Sequence, residues 1–144
     1  MTTIVKADTF TLRQKEVIRY SDFLDTFETN PVTGQLARVV NEDAVKQSLK
    51  NLILTECGER FYDSNKGSRV RQSLFELFDV GGVDLLKIQL QQSAATYEPR
   101  AQIIEVDASR SNIDANLLFL RVIFSVINIP NRDFTLSLNV TRVR

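Results

Sequence analysis

The sequence predicts an α+β fold: two main helices packed on a C-terminal three-stranded antiparallel meander, preceded by an extended N-terminal arm. Three observations carry this. Two segments before Pro99 repeat apolar residues at helical spacing, nearly everything after it alternates with a period of two, and the connections between the C-terminal segments are short, as antiparallel neighbours require. With 144 residues the chain has the size of one domain. The expected organisation is an arm and turn over 1–40 followed by a single α+β domain over 41–144.

In the arm, apolar residues are scattered among Thr, Asp, Lys and Arg without a sustained period, as in Lys6-Ala7-Asp8-Thr9-Phe10. The aromatic residues Tyr20, Phe23 and Phe27 then recur, and Asn30-Pro31-Val32-Thr33-Gly34 reads as a turn in which Pro fixes one φ and Gly permits a positive one. The arm is expected to lie on the domain. Its first residues lack a positive segment followed by an apolar one, and no stretch approaches the roughly 18 apolar residues of a membrane span, so assembly in a cytoplasm is expected.

Asn41 reads as an N-cap, with Glu42 and Asp43 at the positive end of the helix dipole. The helix should run from Glu42 to Glu56, with Val45, Leu49, Leu52 and Ile53 on one stripe, Lys46 and Lys50 outward, and Gly58 as its stop. Asp63 to Ser68 is a turn, Val70 to Leu74 a short helical turn, and Leu74 to Phe78 an apolar knot. Gly81-Gly82 should break the chain before a helix over Val83 to Tyr97, whose inner positions are Leu86, Leu90 and Ala94 and which Pro99 ends.

Strands are expected over 102–108, 117–127 and 134–143, separated by turns at Ser109 to Asn112 and Asn128 to Asn131. The last places Phe134, Leu136, Leu138 and Val140 on a core face and Thr135, Ser137, Asn139 and Thr141 on a wet one. The middle strand is apolar on both faces, broken by Arg121 and Ser125, as suits a central strand.

Lys plus Arg and Asp plus Glu each number 18, so the chain has no net charge and lacks the basic field of a nucleic-acid binder. It has no histidine, which removes imidazole-activated nucleophiles and His-ligated zinc, and its single cysteine, Cys57, reads as a small buried hydrophobe at a helix end. No metal site or cofactor is implied. Asp63 and Asn65 resemble a fragment of a calcium loop without its closing acid, and Gly67-Ser68 and Gly81-Gly82 lack the lysine of a phosphate loop. Glycoside hydrolysis needs only two carboxyl groups in different environments, and Glu56, Glu59, Asp63, Glu76 and Glu98 are the candidates. Spacing selects no pair among them, and exposed or ion-paired carboxylates are the better reading. Tyr97-Glu98-Pro99-Arg100 differs, placing an acid, a rigid φ and a planar cation at a helix-to-strand corner. Two readings stand: local pairing around the corner, or docking of a partner through Arg100.

Taken in order, Ala44 to Thr55, Gly58-Glu59-Arg60, Gly67-Ser68 with Leu74-Phe75-Glu76, and Tyr97-Glu98-Pro99-Arg100 resemble the baseplate wedge family of contractile injection machines, the tail-sheath initiator subunits of contractile phages with relatives in bacteriocin and type VI secretion baseplates. The resemblance spans roughly residues 20 to 143. It implies a structural, non-enzymatic subunit of the virion tail baseplate. Glu98, Pro99 and Arg100 would dock onto the helical core bundle of the wedge. The last strand, Phe134, Thr135, Leu136, Ser137, Leu138, Asn139, Val140 and Thr141, would accept extended strands of the tail-sheath protein, with Arg142 and Arg144 discouraging stray pairing. Core-bundle proteins, sheath and tail-tube proteins are the implied partners. The family also carries a lysozyme-like label, which keeps a peptidoglycan-cleaving activity as the rival reading.

Overall fold

The computed structural model describes residues 18–73, 80–110 and 117–141. Within them the order is β1 (Ser21–Phe23), β2 (Arg38–Val40), α1 (Asn41–Leu54), α2 (Val70–Ser73), α3 (Val80–Tyr97), β3 (Ala101–Arg110), β4 (Leu117–Val126) and β5 (Ile129–Thr141). The α+β class and the C-terminal meander are as expected: β3, β4 and β5 form one antiparallel sheet with β4 central. The apolar knot at 74–78, the turn residues 111 and 112, and Arg142 and Arg144 lie outside the described residues.

Alternation decides which face of the sheet is core. Along β4 the even-numbered residues Leu118, Leu120, Val122, Phe124 and Val126 are buried, and Leu136, Leu138 and Val140 line up on the same face of β5. Against that face pack the α1 stripe of Val45, Leu49 and Ile53 and the α3 stripe of Leu86, Leu90 and Ala94, closing a single core. Each large side chain so buried contributes about 1.5–3 kcal/mol. Phe124, wholly buried, sits 5.9 Å from the Phe134 ring in a tilted pair. On the opposite face Arg121, which is exposed, bonds Asp107 of β3 directly across the ladder.

Residues 20–40 go beyond an extended arm. β1 and β2 pair antiparallel, and the expected turn at Asn30 to Gly34 is closed by the Asn30 side chain, which accepts from Val32 N–H at 2.9 Å, and by Gly34 at φ +68°. The hairpin lies on the polar side of α1: Gln47 donates to the Phe23 carbonyl at 2.7 Å, and Asn51 and Lys50 reach Asp25.

Four local expectations are corrected. Asn41 does not cap α1 with its side chain; it begins the helix at φ +50°, is buried, and its Oδ1 accepts from Arg19 N–H at 2.8 Å, while Val40 takes the cap position. Asn tolerates the left-handed region, and here that bend joins strand to helix. Because α1 stops at Leu54, Cys57 falls beyond it in a loop and is exposed. Gly81 and Gly82 do not break the chain but lie within α3, where each glycine costs about 1 kcal/mol relative to alanine. Finally, the last turn sits at Ile127-Asn128 and β5 starts at Ile129, because the register jumps from Val126↔Ile129 to Ser125↔Asp133. Pro130 falls within that jump, where its missing N–H costs no ladder bond.

Candidate functional site

The corner between α3 and β3 is a β-turn. Glu98 N–H closes the last turn of α3 on the Ala94 carbonyl at 2.8 Å, and Ala101 N–H returns to the Glu98 carbonyl at 3.0 Å, so Pro99 occupies the second turn position that suits its fixed φ. Arg100 C=O then accepts from Ile127 N–H at 3.0 Å, joining the corner to β4.

This turn brings Glu98 and Arg100 together. The guanidinium donates to the carboxylate twice, Nε to Oε1 at 2.5 Å and Nη2 to Oε2 at 2.8 Å, and the Ser48 hydroxyl of α1 donates to Oε2. The Glu98 side chain is 4 % exposed and that of Arg100 38 %. Burial pushes the Glu98 carboxyl up, but the hydrogen bonds from Arg100 and Ser48 and the neighbouring positive charge outweigh it and hold the group below the ordinary carboxylate value. Hydrogen bonding to Glu98 raises Arg100 in turn.

Residues far away in sequence complete the corner. The Arg100 guanidinium stands 5.2 Å from the centre of the Tyr20 ring, the Tyr20 hydroxyl accepts from Asn128 Nδ2 at 2.6 Å, and the Tyr20 carbonyl accepts from Asn41 N–H at 2.8 Å. Sequence reasoning missed Ser48, Tyr20 and Asn128, since nothing local marks partners 50 to 108 positions apart. Pro99 is exposed and, with Ala95, Ile103 and Ile127, lines a groove of about 400 Å³ beside the corner.

The sheet has two outer edges of different character. β3 carries a bulge between Ile103 and Glu105, and the Gln91 side chain of α3 donates to the Ile103 carbonyl at 3.3 Å. β5 pairs with β4 without interruption from Asp133 to Thr141. Because the Ile127 N–H points to β3, strict alternation along β4 turns its even-numbered residues toward β5. Their partners Phe134, Leu136, Leu138 and Val140 therefore direct their backbone inward, and Thr135, Ser137, Asn139 and Thr141 direct theirs to the outer edge. Among the described residues no strand pairs there.

The sequence's carboxylate candidates are not gathered. Glu56 pairs with Arg71 at 3.7 Å, Glu59 accepts from Glu56 N–H at 2.9 Å, and Asp63 accepts from the Tyr97 hydroxyl at 3.4 Å, while Glu76 lies outside the described residues. Glu98, the buried one, is held ionised, the opposite of a general acid. Among the described residues no group of His, Cys, Asp and Glu is placed to hold a metal, and no helix is long and apolar enough to cross a membrane.

The family model described as baseplate wedge protein gp25 matches residues 39–130, from β2 through the start of β5. The chain belongs to the baseplate wedge gp25 family. As such it is a baseplate component of phage-like contractile systems. Solved structures share its fold at low identity. A chain of the anti-feeding prophage baseplate superposes with a TM-score of 0.65 at 24 % identity, covering 78 % of this chain and 89 % of that one. A Geobacter sulfurreducens protein named as a candidate tail lysozyme gives 0.61 at 19 %, covering 72 % and 92 %. A chain of the type VI secretion baseplate complex gives 0.50 at 16 %, covering 68 % and 92 %. No curated protein sequence matches the chain.

Proposed function

We propose that this gp25-family chain is a structural wedge subunit that docks on its neighbours through the Arg100 corner and starts the contractile sheath by accepting a strand along β5. The observation that carries the reading is the contrast between the two sheet edges. β3 is bulged, a common device against added strands, whereas β5 offers a regular row of outward N–H and C=O groups at Thr135, Ser137, Asn139 and Thr141. Main-chain pairing supplies affinity there, and the polar outer side chains keep the free edge soluble.

At the corner Glu98 is a positioning group, buried and fully engaged, while Arg100 and Pro99 reach the surface. A guanidinium fixed in place loses little freedom on meeting a partner carboxylate or carbonyl, and the groove beside Pro99 offers apolar area to a core-bundle side chain. The role is non-enzymatic: nothing in the arrangement of Glu56, Glu59, Asp63 and Glu98 sets an acid against a nucleophile. Phage tail, bacteriocin and type VI settings all suit this mechanism, with sheath and core-bundle proteins as partners.

Proline at Ser137 and Asn139 tests the reading. These positions owe no hydrogen bond to β4, so the variant should fold and enter baseplates yet fail to nucleate sheath. Normal sheath on such baseplates would reject strand addition at β5, and peptidoglycan solubilisation by the folded, purified protein would reject the non-enzymatic role.

A further inference from the structure

Residues 56–68 leave the end of α1 and return to it as a closed loop. Its base is tightly tied: Glu56 and Ser68 form a parallel bridge, Ser68 N–H donates to the Thr55 carbonyl at 2.8 Å, Gly58 N–H donates to Ser64 at 2.7 Å, and the buried Ser68 hydroxyl donates to the Ile53 carbonyl. Gly67 has φ +144°, and a Cβ there would stand 2.6 Å from the Thr55 oxygen, so only glycine closes the loop this way. The tip carries Phe61 and Tyr62, 100 % and 105 % exposed. A fixed base presenting two adjacent rings to water is poorly suited to a lone subunit and well suited to a contact, since aromatic anchors on rigid supports dominate protein interfaces.

The charges beside the rings say what kind of contact. The loop, β1 and α1 enclose a cleft of about 220 Å³ lined by Asp22, Asn51, Arg60, Lys66, Tyr97 and Glu98, among others. Of its acids, Glu98 is matched by the Arg100 cation and also bonds Ser48, whereas Asp22 accepts from Phe23 N–H, and just outside the cleft Asp63 takes the Tyr97 hydroxyl and Glu59 the Glu56 N–H. Arg60 and Lys66 make no ion pair among the described residues; Lys66 stands only over the Tyr97 ring, 5.8 Å from its centre. The cleft lining thus holds two cations outside any ion pair among the described residues, against one carboxylate, Asp22, that bonds a backbone N–H.

We propose that loop 59–66 is a second docking surface, which inserts Phe61 and Tyr62 into an apolar pocket of a different baseplate protein while an acidic side chain of that protein enters the cleft at Arg60 and Lys66. This rests on membership of the baseplate family, and on neither the Arg100 nor the β5 reading. A two-fold contact with a second copy would set the same cations against each other. Nucleic acid is the wrong match for two cations on a chain of zero net charge.

The test uses the full chain in assembling baseplates. A photoreactive phenylalanine analogue at position 61 should cross-link to one other baseplate protein, near an acidic residue. The double variants Phe61→Ala/Tyr62→Ala and Arg60→Glu/Lys66→Glu should keep the wild-type melting midpoint, because these side chains touch little of their own domain, and should lower incorporation about tenfold or more. Arg100→Ala, measured in parallel, reports on the other corner alone, so failure of one surface is distinguishable from failure of the other. Unchanged incorporation of both double variants, or cross-linking to a second copy or to nucleic acid, overturns the proposal.

Discussion

Arg100 grips the carboxylate of Glu98 from two positions further along the chain, with both hydrogen bonds of its fork on one acid and the Tyr20 ring against its guanidinium. The pair is asymmetric, with the acid buried and the cation open to water on one side. That asymmetry commits Glu98 to the fold and leaves Arg100, two positions on, the open side that the proposed docking would use.

Replacing Arg100 by Ala should leave a folded subunit destabilised by about 1–2 kcal/mol, the upper range being reduced by solvent at the cation's open side. Arg100→Lys should restore part of the charge but not the fork. Denaturant midpoints measure the first effect. The docking reading requires more: Arg100→Ala should fail to enter wedges even where the isolated subunit is fully folded, and normal entry would end that reading.

Stability should depend on pH through Glu98. Its folded value lies below the ordinary one, so at intermediate pH the unfolded chain binds the extra proton and stability rises with pH. The contribution is complete above the ordinary glutamate value of about 4.3 and is lost as pH falls below it through the folded value. Urea midpoints from pH 3 to 7 should show a wild-type advantage over Glu98→Gln that shrinks on acidification. An advantage constant across that range would disprove the linkage.

Hydrogen exchange should read the direction of the β5 backbone. In the isolated subunit the amides of Leu136, Leu138 and Val140 should be protected and those of Thr135, Ser137 and Asn139 should exchange quickly. Addition of the sheath segment should then slow the second set. Protection of Ser137 and Asn139 in the free protein would place the wrong residues at the edge.

Much of this fold is legible in the sequence because period is a long-range average. The α1 and α3 stripes and the alternation of Leu136, Leu138 and Val140 each extend over several repeats, so burial of one face shows through. The β1–β2 hairpin is not legible, since three-residue strands exposed on one or both faces leave no period. Asn41 misleads for a different reason: cap, turn and left-handed bend all favour asparagine, and tertiary contacts with Arg19 and Tyr20 decide among them. At the corner, the Glu98-Pro99-Arg100 turn is local and visible, while Ser48, Tyr20 and Asn128 arrive only with the fold. The Phe61-Tyr62 tip is invisible as a surface until the exposure of its rings is known.

The bulge in β3 also sets a number. A sheet with two regular edges could bridge two chains and propagate in both directions, but one spoiled edge leaves this sheet a valence of one. On the reading proposed for β5, each subunit would take one incoming strand, and sheath growth seeded from it would run in a single direction.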